Sequence, residues 1–440
     1  MEQVADGYAV GIDAALDAAS LPPLPRTAWL SIDLDALANN LAVIRRLAGP
    51  EIPVHPVVKA NAYGHGALPV ARALEAAGAD GFCVATYDEA AALRAGGIRA
   101  PVLVLYPIPV RLVAEAARRR LSITAGDPEL LRASLAAASA ASARGRRALD
   151  IQLEVETGLG RGGFTAAGLA DAAGSVERTR GVRITGLWTH LQAPEDPAVT
   201  AAQIAAFEVA AAALMAAGIR LPRRHLRASG SLVGRLAAPA RPAEAGSGAG
   251  HPALLDGGAS YDGVRPGLSI YGLVPDELSA AAIAQDARQL RPALSLHARP
   301  VRVQDLPADW GISYGPTFRT RGPSRIATLP LGYGDGWSRA LSNRAEALVR
   351  GVRVPMVGNV AMDAVMVDVS DVPGPPVTVG DTFTLIGRQG GETIAVAEVA
   401  RARGTNSWEV VTGMAGRLPR VYHAASGPVA VRTLVERGRR

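Results

Sequence analysis

Residues 57–66 read VVKANAYGHG, an apolar run that ends in a lysine and continues into a turn rich in Asn, Tyr, Gly and His. The run is typical of a buried strand, and the Ala-rich segment LPVARALEAAG that follows has the length and spacing of a helix. The stretch therefore predicts one strand–helix unit, with Lys59 at the carboxyl end of its strand.

The same alternation of short apolar runs with Ala-rich helical segments repeats along the first two thirds of the chain. Alternating strands and helices predict parallel strands, and eight such units are what a closed (β/α)8 TIM barrel needs. An open doubly wound sheet is the alternative, although no Gly-x-Gly-x-x-Gly turn follows the first strand. The candidate strands are VHPVVK, GFCVAT, VLVLY, LSIT, IQLEVE, ITGLWTH, RHLRAS and YDGVRP.

From about residue 290 the pattern changes to strand-like runs separated by Gly, Pro and Asp, such as LSLHARPVRVQDL, RIATLPLG and AVMVDVSD. Strand-like runs separated by turn residues in this way predict a mostly antiparallel β domain. The predicted organisation is a loosely ordered N-terminal extension over 1–27, the barrel over 28–288 and the β domain over 289–440. The Ala-, Gly- and Pro-rich segment at 238–260 is predicted to be a surface loop before the last barrel strand.

The amino-acid composition indicates which classes of partner to expect. The chain has 440 residues, 49% of them apolar, and a net charge of +6, but its arginine runs are dispersed and lack interleaved aromatics. No nucleic-acid partner is therefore expected. A single cysteine, Cys83, excludes a disulfide framework within the chain, and no metal site is expected. The acidic N-terminus and the lack of an apolar run near ~18 residues favour a cytoplasmic protein without a membrane partner.

The predicted strand ends carry the candidate chemistry, because a barrel places its active site at the carboxyl edge of its strands. Lys59 at the end of an apolar strand is partly desolvated, which favours a neutral amine that can condense with an aldehyde. A solvated strand-end lysine is the plain alternative. Ser229 and the Gly267 turn supply donors for a phosphate, and Arg265 either faces a ring nitrogen or pairs with a carboxylate. Together these residues suggest pyridoxal 5'-phosphate.

The stretch VVKANAYGHG also resembles the pyridoxal-phosphate signature of the alanine racemases. The resemblance runs from WLSIDLDAL at 29 to RLPRVY, which ends at 422, and its motifs occur in order across both predicted domains. The resemblance implies a homodimeric isomerase that interconverts L-alanine and D-alanine and supplies D-alanine for peptidoglycan. The further motifs are VETGLGRGG, GLWTHL, VRPGLSIYG, SLHARPVRV, ISYGPTF, LPLGYGDGW and VGNVAMD.

The resemblance also implies residue roles. Lys59 holds the cofactor and serves as the base on one face of the substrate Cα, while Tyr314, entering from the partner subunit, serves the other face. Arg161 and the backbone amide of Met362, the latter also from the partner, hold the substrate carboxylate. Arg265 keeps the pyridine nitrogen unprotonated, because an arginine does not give up its proton. The cofactor-binding set is Lys59, Tyr63, His190, Ser229, Arg265, Gly267, Leu268 and Tyr271.

Three positions depart from the family pattern. Many members carry a carbamylated lysine seven positions before the arginine that matches Arg161, and Glu154 stands there in this chain. The hypothesis is that the Glu154 carboxylate replaces the carbamate electrostatically. Ala228 stands where many members have Asn, and Gly416 stands where many have Tyr. These changes leave open a racemase that prefers serine or another small amino acid.

Two other classes remain alternatives at this stage. Pyridoxal-phosphate carrier proteins are non-catalytic relatives that share the barrel and its lysine, but they lack a second domain, which this chain is predicted to have. Decarboxylases on a similar barrel place an acidic residue against the pyridine nitrogen, where this chain has Arg265. Conversion of L-alanine to D-alanine without net loss of amino acid discriminates the racemase from both.

Overall fold

The structure is a computed structural model that describes residues 11–143, 148–220, 223–234 and 261–435. The chain divides into two compact units. The β unit comprises Met1–Leu37, Ala62–Pro69 and Arg291–Arg440, and the barrel unit comprises Ala38–Asn61 and Val70–Leu290. Because neither unit is contiguous in sequence, the domain boundaries at 28 and 289 stay predictions.

The barrel unit contains six parallel strands that pair in chain order and are largely buried, as expected for apolar runs covered on both faces. Isolated parallel bridges continue this sheet on both sides: Val57 pairs with Cys83, Val54 with Val264, and Ala228 with Arg265. Residues near 54–58 and 264–265 thus occupy the two remaining strand positions and close the ring. The predicted TIM-barrel fold is confirmed. The six strands are Phe82–Val84, Val102–Val104, Leu121–Ala125, Leu149–Glu154, Val182–Trp188 and Arg223–His225.

Helices alternate with these strands, and two of the longer ones start with the same kind of cap. Asp127 and Asp196 each accept two backbone N–H groups of the first helical turn and precede a proline at its first position. The helices of this part of the chain are Leu34–Ala48, Lys59–Tyr63, Ala67–Ala76, Tyr87–Ala95, Val113–Arg118, Pro128–Ser142, Ala166–Glu177, Pro197–Ala216 and Ser229–Val233.

Of the helices within the described ranges, Pro197–Ala216 alone has the length and apolar composition that a membrane crossing would require. Its apolarity comes largely from alanine, and one face buries Phe207, Ala211 and Leu214. A helix packed in a protein core passes the same test, so the feature is weak evidence for a membrane span.

The β unit is built on an eleven-stranded sheet in which neighbours are antiparallel, except that Ala28–Asp33 pairs in parallel with Arg420–Ala424. This confirms the predicted mostly antiparallel sheet. Two helices, Val396–Arg403 and Ser407–Thr412, also belong to the unit. Its strands are Ala28–Asp33, Leu294–Ala298, Arg302–Leu306, Ser324–Leu329, Glu346–Val349, Val352–Val357, Val365–Asp368, Phe383–Gln389, Glu392–Ile394, Arg420–Ala424 and Gly427–Arg432.

The N-terminal segment differs from the loosely ordered extension that the sequence suggested. A helix forms over Ile12–Ala18, and its Ile12 and Leu16 side chains are buried against Trp29 and Val421. Apolar residues four apart give the helix one apolar face. Burial of that face stabilises the helix, although a proline cluster follows it. Residues 1–10 and the predicted loop at 238–260 lie outside the described residues.

A buried carboxylate ties three segments of the β unit together. Arg26 Nη1 lies 2.6 Å and Arg417 Nε 2.7 Å from Asp335 Oδ1, and the Gly332 N–H donates to Asp335 Oδ2 at 3.0 Å. Replacing Asp335 by alanine would leave two arginines facing each other without their carboxylate. We expect Asp335→Ala to lower the free energy of unfolding by about 3 kcal/mol, measured by denaturant titration.

A matched change tests this expectation. Asp309 also pairs with an arginine, Arg319, but its side chain is 83% exposed, so Asp309→Ala should change stability by less than ~0.5 kcal/mol. Burial raises the pKa of Asp335, but the N–H groups of Arg26, Arg417 and Gly332 outweigh it, so this pKa is below the ordinary value. The stabilisation is therefore full above the unfolded-state pKa and is lost as pH falls. Equal losses of unfolding free energy in Asp335→Ala and Asp309→Ala would contradict the stabilising role of the buried Asp335 carboxylate.

Candidate active site

Lys59 follows a short extended segment at the carboxyl edge of the barrel. Val57 and Val58 are buried, and the Val58 N–H donates to the Cys83 carbonyl at 2.8 Å, which sets where the segment ends. Burial, and then the positive charge of Arg161, lowers the pKa of Lys59 below its usual value. Lys59 is also the only lysine in the 440 residues, a sequence signal that strengthens the original prediction.

The turn after Lys59 has an unusual backbone. Ala60, Asn61, Ala62 and Tyr63 all have φ between 50° and 56°, the left-handed region that costs side-chain-bearing residues energy. Such strain persists only where the surroundings hold it, and it concentrates at functional sites. The Glu89 carboxylate helps to hold this turn: it accepts the N–H groups of Ala60 at 2.6 Å and Ala85 at 2.8 Å. Sequence reasoning missed Glu89, which looks like an ordinary first-turn acid.

Arg161 and Glu154 form a direct ion pair. Arg161 Nη2 lies 3.0 Å from Glu154 Oε1, and the Glu154 side chain is 9% exposed against 33% for Arg161. Burial raises the pKa of Glu154, while the neighbouring Arg161 opposes that rise. The loop before Arg161 is fixed by Glu156, whose carboxylate accepts the N–H groups of Gly158 and Gly160. The side chain of Arg161 is thus held at the barrel edge beside a carboxylate.

Arg265 lies inside the barrel and is 3% exposed. Its Nη2 donates to the Thr189 carbonyl at 2.6 Å, its Nη1 donates to the His225 carbonyl at 2.9 Å and also contacts His225 Nδ1, and its Cζ lies 4.8 Å from the Trp188 ring centroid. Burial lowers the pKa of Arg265 to about 10, so it remains cationic at neutral pH. Within the described ranges the hydrogen bonds of the guanidinium are made by Nη1 and Nη2, which leaves its Nε–H as a donor for a bound acceptor.

His190 follows the strand Val182–Trp188. Burial lowers the pKa of His190 to about 3, and the charges of Arg265 and Arg161 add to the effect. The ring is therefore neutral, which suits packing against an aromatic ring. Gln203 supports the backbone here, because its Nε2 donates to the His190 carbonyl at 3.2 Å.

Ser229 links two short helical turns whose first N–H groups are suited to binding an anion. Its Oγ accepts the N–H groups of Gly267 at 2.9 Å and Ser269 at 3.2 Å. The helical turns Ser229–Val233 and Leu268–Tyr271 begin here, and the first N–H groups of a helix lack intrahelical acceptors and attract negative charge. These contacts bring Ser229, Gly267 and Ser269 together, and Leu268 lies between the last two in the chain.

Two tyrosines predicted to bind the cofactor with these residues have other observed contacts. The buried Tyr271 hydroxyl donates to the Val57 carbonyl at 2.8 Å, so it supports the segment that leads to Lys59. Tyr63 belongs to the β unit and is 6% exposed, and its carbonyl lies 2.9 Å from His65 Nδ1. Their predicted roles at a phosphate stay predictions.

Tyr314 and Met362 lie on two linked loops of the β unit. The Asn359 side chain donates to the carbonyls of Tyr314 at 2.9 Å and Gly315 at 3.0 Å, and Ser313 Oγ donates to the Asn359 carbonyl at 2.6 Å. Tyr314 is 80% exposed and Met362 is 53% exposed. The side chains of both predicted residues are thus exposed on loops of the β unit.

A closed parallel barrel with a partly desolvated lysine at the carboxyl edge of its strands is the arrangement of a barrel enzyme. Two family models match the chain: "Alanine racemase, N-terminal domain" over residues 32–275 and "Alanine racemase, C-terminal domain" over residues 293–422. The chain belongs to the alanine racemase family, whose members are isomerases.

Individual relatives agree with this assignment. The alanine racemase of Symbiobacterium thermophilum is 38% identical over 403 residues, covering 90% of this chain and 97% of that protein. The crystal structure of alanine racemase from Bacillus anthracis with bound L-Ala-P is 32% identical, with a TM-score of 0.81, covering 94% of this chain and 99% of that one. A histidine racemase from Leuconostoc mesenteroides subsp. sake is 26% identical, with a TM-score of 0.77, covering 91% and 98%.

Proposed function

We propose that the protein is a pyridoxal 5'-phosphate-dependent alanine racemase that interconverts L-alanine and D-alanine with two bases. The observation that carries the proposal is the single lysine of the chain, desolvated at the barrel edge beside Arg161. A lysine in such surroundings has more neutral amine at neutral pH, which is the form that bonds to an aldehyde and accepts a proton.

The chemistry of the predicted residues fits the cofactor. When bound, pyridoxal phosphate supplies an electron-withdrawing ring that makes the substrate Cα–H acidic. Lys59 Nζ would hold its aldehyde carbon, and Ser229, Gly267 and Leu268, with Tyr63 and Tyr271, would hold its phosphate. His190 would pack on the ring. Arg265 would donate to the ring nitrogen and, because it keeps its own proton, would leave that nitrogen unprotonated.

The reaction needs a proton to leave one face of Cα and another to arrive at the opposite face. Lys59 would move the proton on one face and Tyr314 on the other. Arg161, with the backbone amide of Met362, would bind the substrate carboxylate and fix Cα between the two bases. Binding the carboxylate through charge-assisted hydrogen bonds orients the substrate without taking part in proton transfer.

The assembly and cellular setting follow from the same proposal. We infer a homodimer in which Tyr314 and Met362 enter the partner's site, since both side chains are exposed on linked loops. The proposed location is the cytoplasm, with D-alanine supplied for peptidoglycan and with no nucleic-acid or membrane partner. The proposed domains are an extension over 1–27, a barrel over 28–288 and a β domain over 289–440.

A racemase of another amino acid is a second candidate, and one observation favours it. Gly416, where a tyrosine is common in the family, is exposed, and an added Cβ would meet nothing within 4 Å. The solved histidine racemase shares the fold. Chiral assays with L-alanine, L-serine, L-arginine and L-histidine separate the two candidates. Preference for L-alanine supports the leading proposal, and faster conversion of another amino acid supports the second.

The Glu154 carboxylate is proposed to hold the charge and orientation of Arg161. Glu154→Gln keeps a hydrogen-bond acceptor but removes the negative charge, so we expect the KM for alanine to rise about tenfold, the equivalent of ~1.4 kcal/mol. Glu177→Gln, an exposed change at a helix end, is the control and should leave both constants unchanged. Unchanged activity and substrate affinity in Glu154→Gln would contradict this role.

Covalent trapping tests the cofactor site itself. Reduction of the cofactor-loaded protein with borohydride makes any lysine–cofactor bond permanent, and Lys59 is the only lysine available. Mass spectrometry of the intact chain should show one added phosphopyridoxyl group, located on the peptide that contains Lys59. A chain that takes up no cofactor, or only labels its N-terminal amine, would overturn the proposal.

A further inference from the structure

A chain of three polar side chains crosses the barrel interior beneath the proposed cofactor site. Arg265 Nη1 contacts His225 Nδ1, and His225 Nε2 lies 2.7 Å from Gln152 Oε1. Arg265 and His225 are 3% and 7% exposed. The ring of His225 also stacks on Trp188, with centroids 6.3 Å apart and planes 8° apart. Trp188 therefore restricts the position of both His225 and Arg265.

The direction of each hydrogen bond follows from what each group is able to do. The guanidinium of Arg265 only donates, so His225 Nδ1 must accept and carry no proton. A neutral imidazole then has its proton on Nε2, and that N–H needs an acceptor. Gln152 Oε1 is the acceptor at 2.7 Å. The protonated nitrogen of a histidine depends on the hydrogen bonds of both ring nitrogens, so Gln152, by accepting from Nε2–H, stabilises the form that accepts from Arg265.

A doubly protonated His225 would place an N–H against an N–H of Arg265. Burial, then the charge of Arg265 and then that of His55, lowers the pKa of His225 well below its ordinary value, which keeps the ring neutral. A neutral ring still has two forms. Only the form with the proton on Nε2 fits both neighbours, because Nδ1 then accepts from Arg265 and the Nε2–H donates to Gln152 Oε1.

The backbone beside Gln152 is shaped to admit its side chain. The register of the strands Leu149–Glu154 and Val182–Trp188 shifts between Ile151 and Gln152, and such irregularities re-aim side chains. On the neighbouring strand, Gly186 leaves the needed space. A Cβ at Gly186 would lie 2.6 Å from both Cδ and Oε1 of Gln152. Two separate features of the chain thus place the amide of Gln152 against His225.

We propose that Gln152 is a positioning residue that stabilises the Nε2–H tautomer of His225 and thereby helps to hold the Arg265 guanidinium where the cofactor's ring nitrogen binds. The proposal rests on the proposed function, because it takes Arg265 to be the partner of that nitrogen. It adds Gln152 and Gly186 to the residues that determine how the cofactor is held. No contact between Gln152 and substrate is required.

The first test uses the protein without cofactor. Nitrogen NMR of histidine-labelled protein, with His225 assigned by the loss of its signals in His225→Asn, reports which ring nitrogen carries the proton. We expect Nε2–H in the wild type, a shifted or mixed tautomer in Gln152→Met, and Nε2–H again in Gln152→Glu, which keeps an acceptor. Nδ1–H in the wild type, or an unchanged tautomer in Gln152→Met, would overturn the proposal.

The second test loads the same proteins with pyridoxal phosphate. We expect Gln152→Met to shift the absorbance of the bound cofactor and to lower kcat about tenfold, as loss of one buried hydrogen bond does, with the KM for alanine nearly unchanged. Gly186→Ala, which crowds Gln152 without removing it, should behave like Gln152→Met. Arg183→Gln, an exposed change on the same strand, is the control and should match the wild type.

The two tests separate the possible failures. If the wild type neither retains cofactor nor racemises alanine, the proposed function fails, whereas the tautomer result in the cofactor-free protein still decides whether Gln152 controls His225. If the tautomer changes in Gln152→Met but the cofactor absorbance and kcat stay at wild-type values, Gln152 does not position Arg265 for the cofactor, and the inference is wrong.

Discussion

Replacing Lys59 by alanine is expected to abolish alanine racemisation and the covalent retention of pyridoxal phosphate. Lys59 has two proposed tasks, holding the aldehyde and moving a proton at Cα, and the chain contains no second lysine to take over either. Loss of a positioned acid–base group alone lowers a rate by about 10²–10⁴-fold, and loss of the covalent anchor adds to it. The rate is measured by a chiral assay of alanine.

The structure indicates that replacing Lys59 would remove activity without unfolding the chain. Lys59 is only partly buried, whereas the neighbouring Val57 and Val58 carry the packing of the segment. Lys59→Arg is the matched variant, because it keeps a cation on a long stem but cannot bond to the aldehyde at neutral pH. Both variants should keep the wild-type unfolding transition. Racemisation by Lys59→Ala at more than about a hundredth of the wild-type rate would rule out the proposed role.

Tyr314→Phe should lower the rate by about 10²–10⁴-fold in both directions, because it removes only the phenolic oxygen that serves the second face of Cα. The phenyl ring and the backbone bonds from Asn359 to the Tyr314 and Gly315 carbonyls are unaffected by the change. Retention of the cofactor should be normal, in contrast to Lys59→Ala. Wild-type activity in Tyr314→Phe would exclude the tyrosine as the second base.

Mixed dimers test whether Tyr314 acts in the partner's site. A dimer of one Lys59→Ala chain and one Tyr314→Phe chain, purified through two different tags, has both changes in one site and neither in the other if the sites are shared between subunits. Such a dimer should recover about half the wild-type activity. Dimers of either variant alone are the control and should be inactive. If each chain instead uses its own Tyr314, the mixed dimer should be as inactive as the controls.

Much of the barrel could be predicted because its strands are short apolar runs with regular spacing. Two of the eight candidate strands form only isolated bridges, at Val54 and Val57 and at Val264 and Arg265. Prolines at 56 and 266 explain this, since a proline has no N–H to donate to a strand ladder. The sequence therefore indicated which segments close the ring of barrel strands. It did not indicate that so few residues of these segments pair.

The positions of Lys59 and Arg265 at the ends of strand segments could be predicted, because each lies near the end of a short strand-like run in the sequence. The site was not predictable where the role depends on a contact between distant segments, as for Glu89 at the turn after Lys59 and Gln152 beside His225. A signal existed for Gln152, because a polar residue inside a buried strand needs a hydrogen-bond partner. Nothing in the sequence Ala-Asn-Ala-Tyr, which contains no glycine, indicated four consecutive left-handed residues.

The most direct test of the central claim is the fate of L-alanine with the purified, cofactor-loaded protein in deuterated water. The account predicts that D-alanine appears until both enantiomers are equal, that the total amount of alanine stays constant, and that deuterium accumulates at Cα. Retained cofactor without formation of D-alanine, or loss of alanine to another product, would contradict the assignment of Lys59 and Tyr314 as the two bases of a racemase.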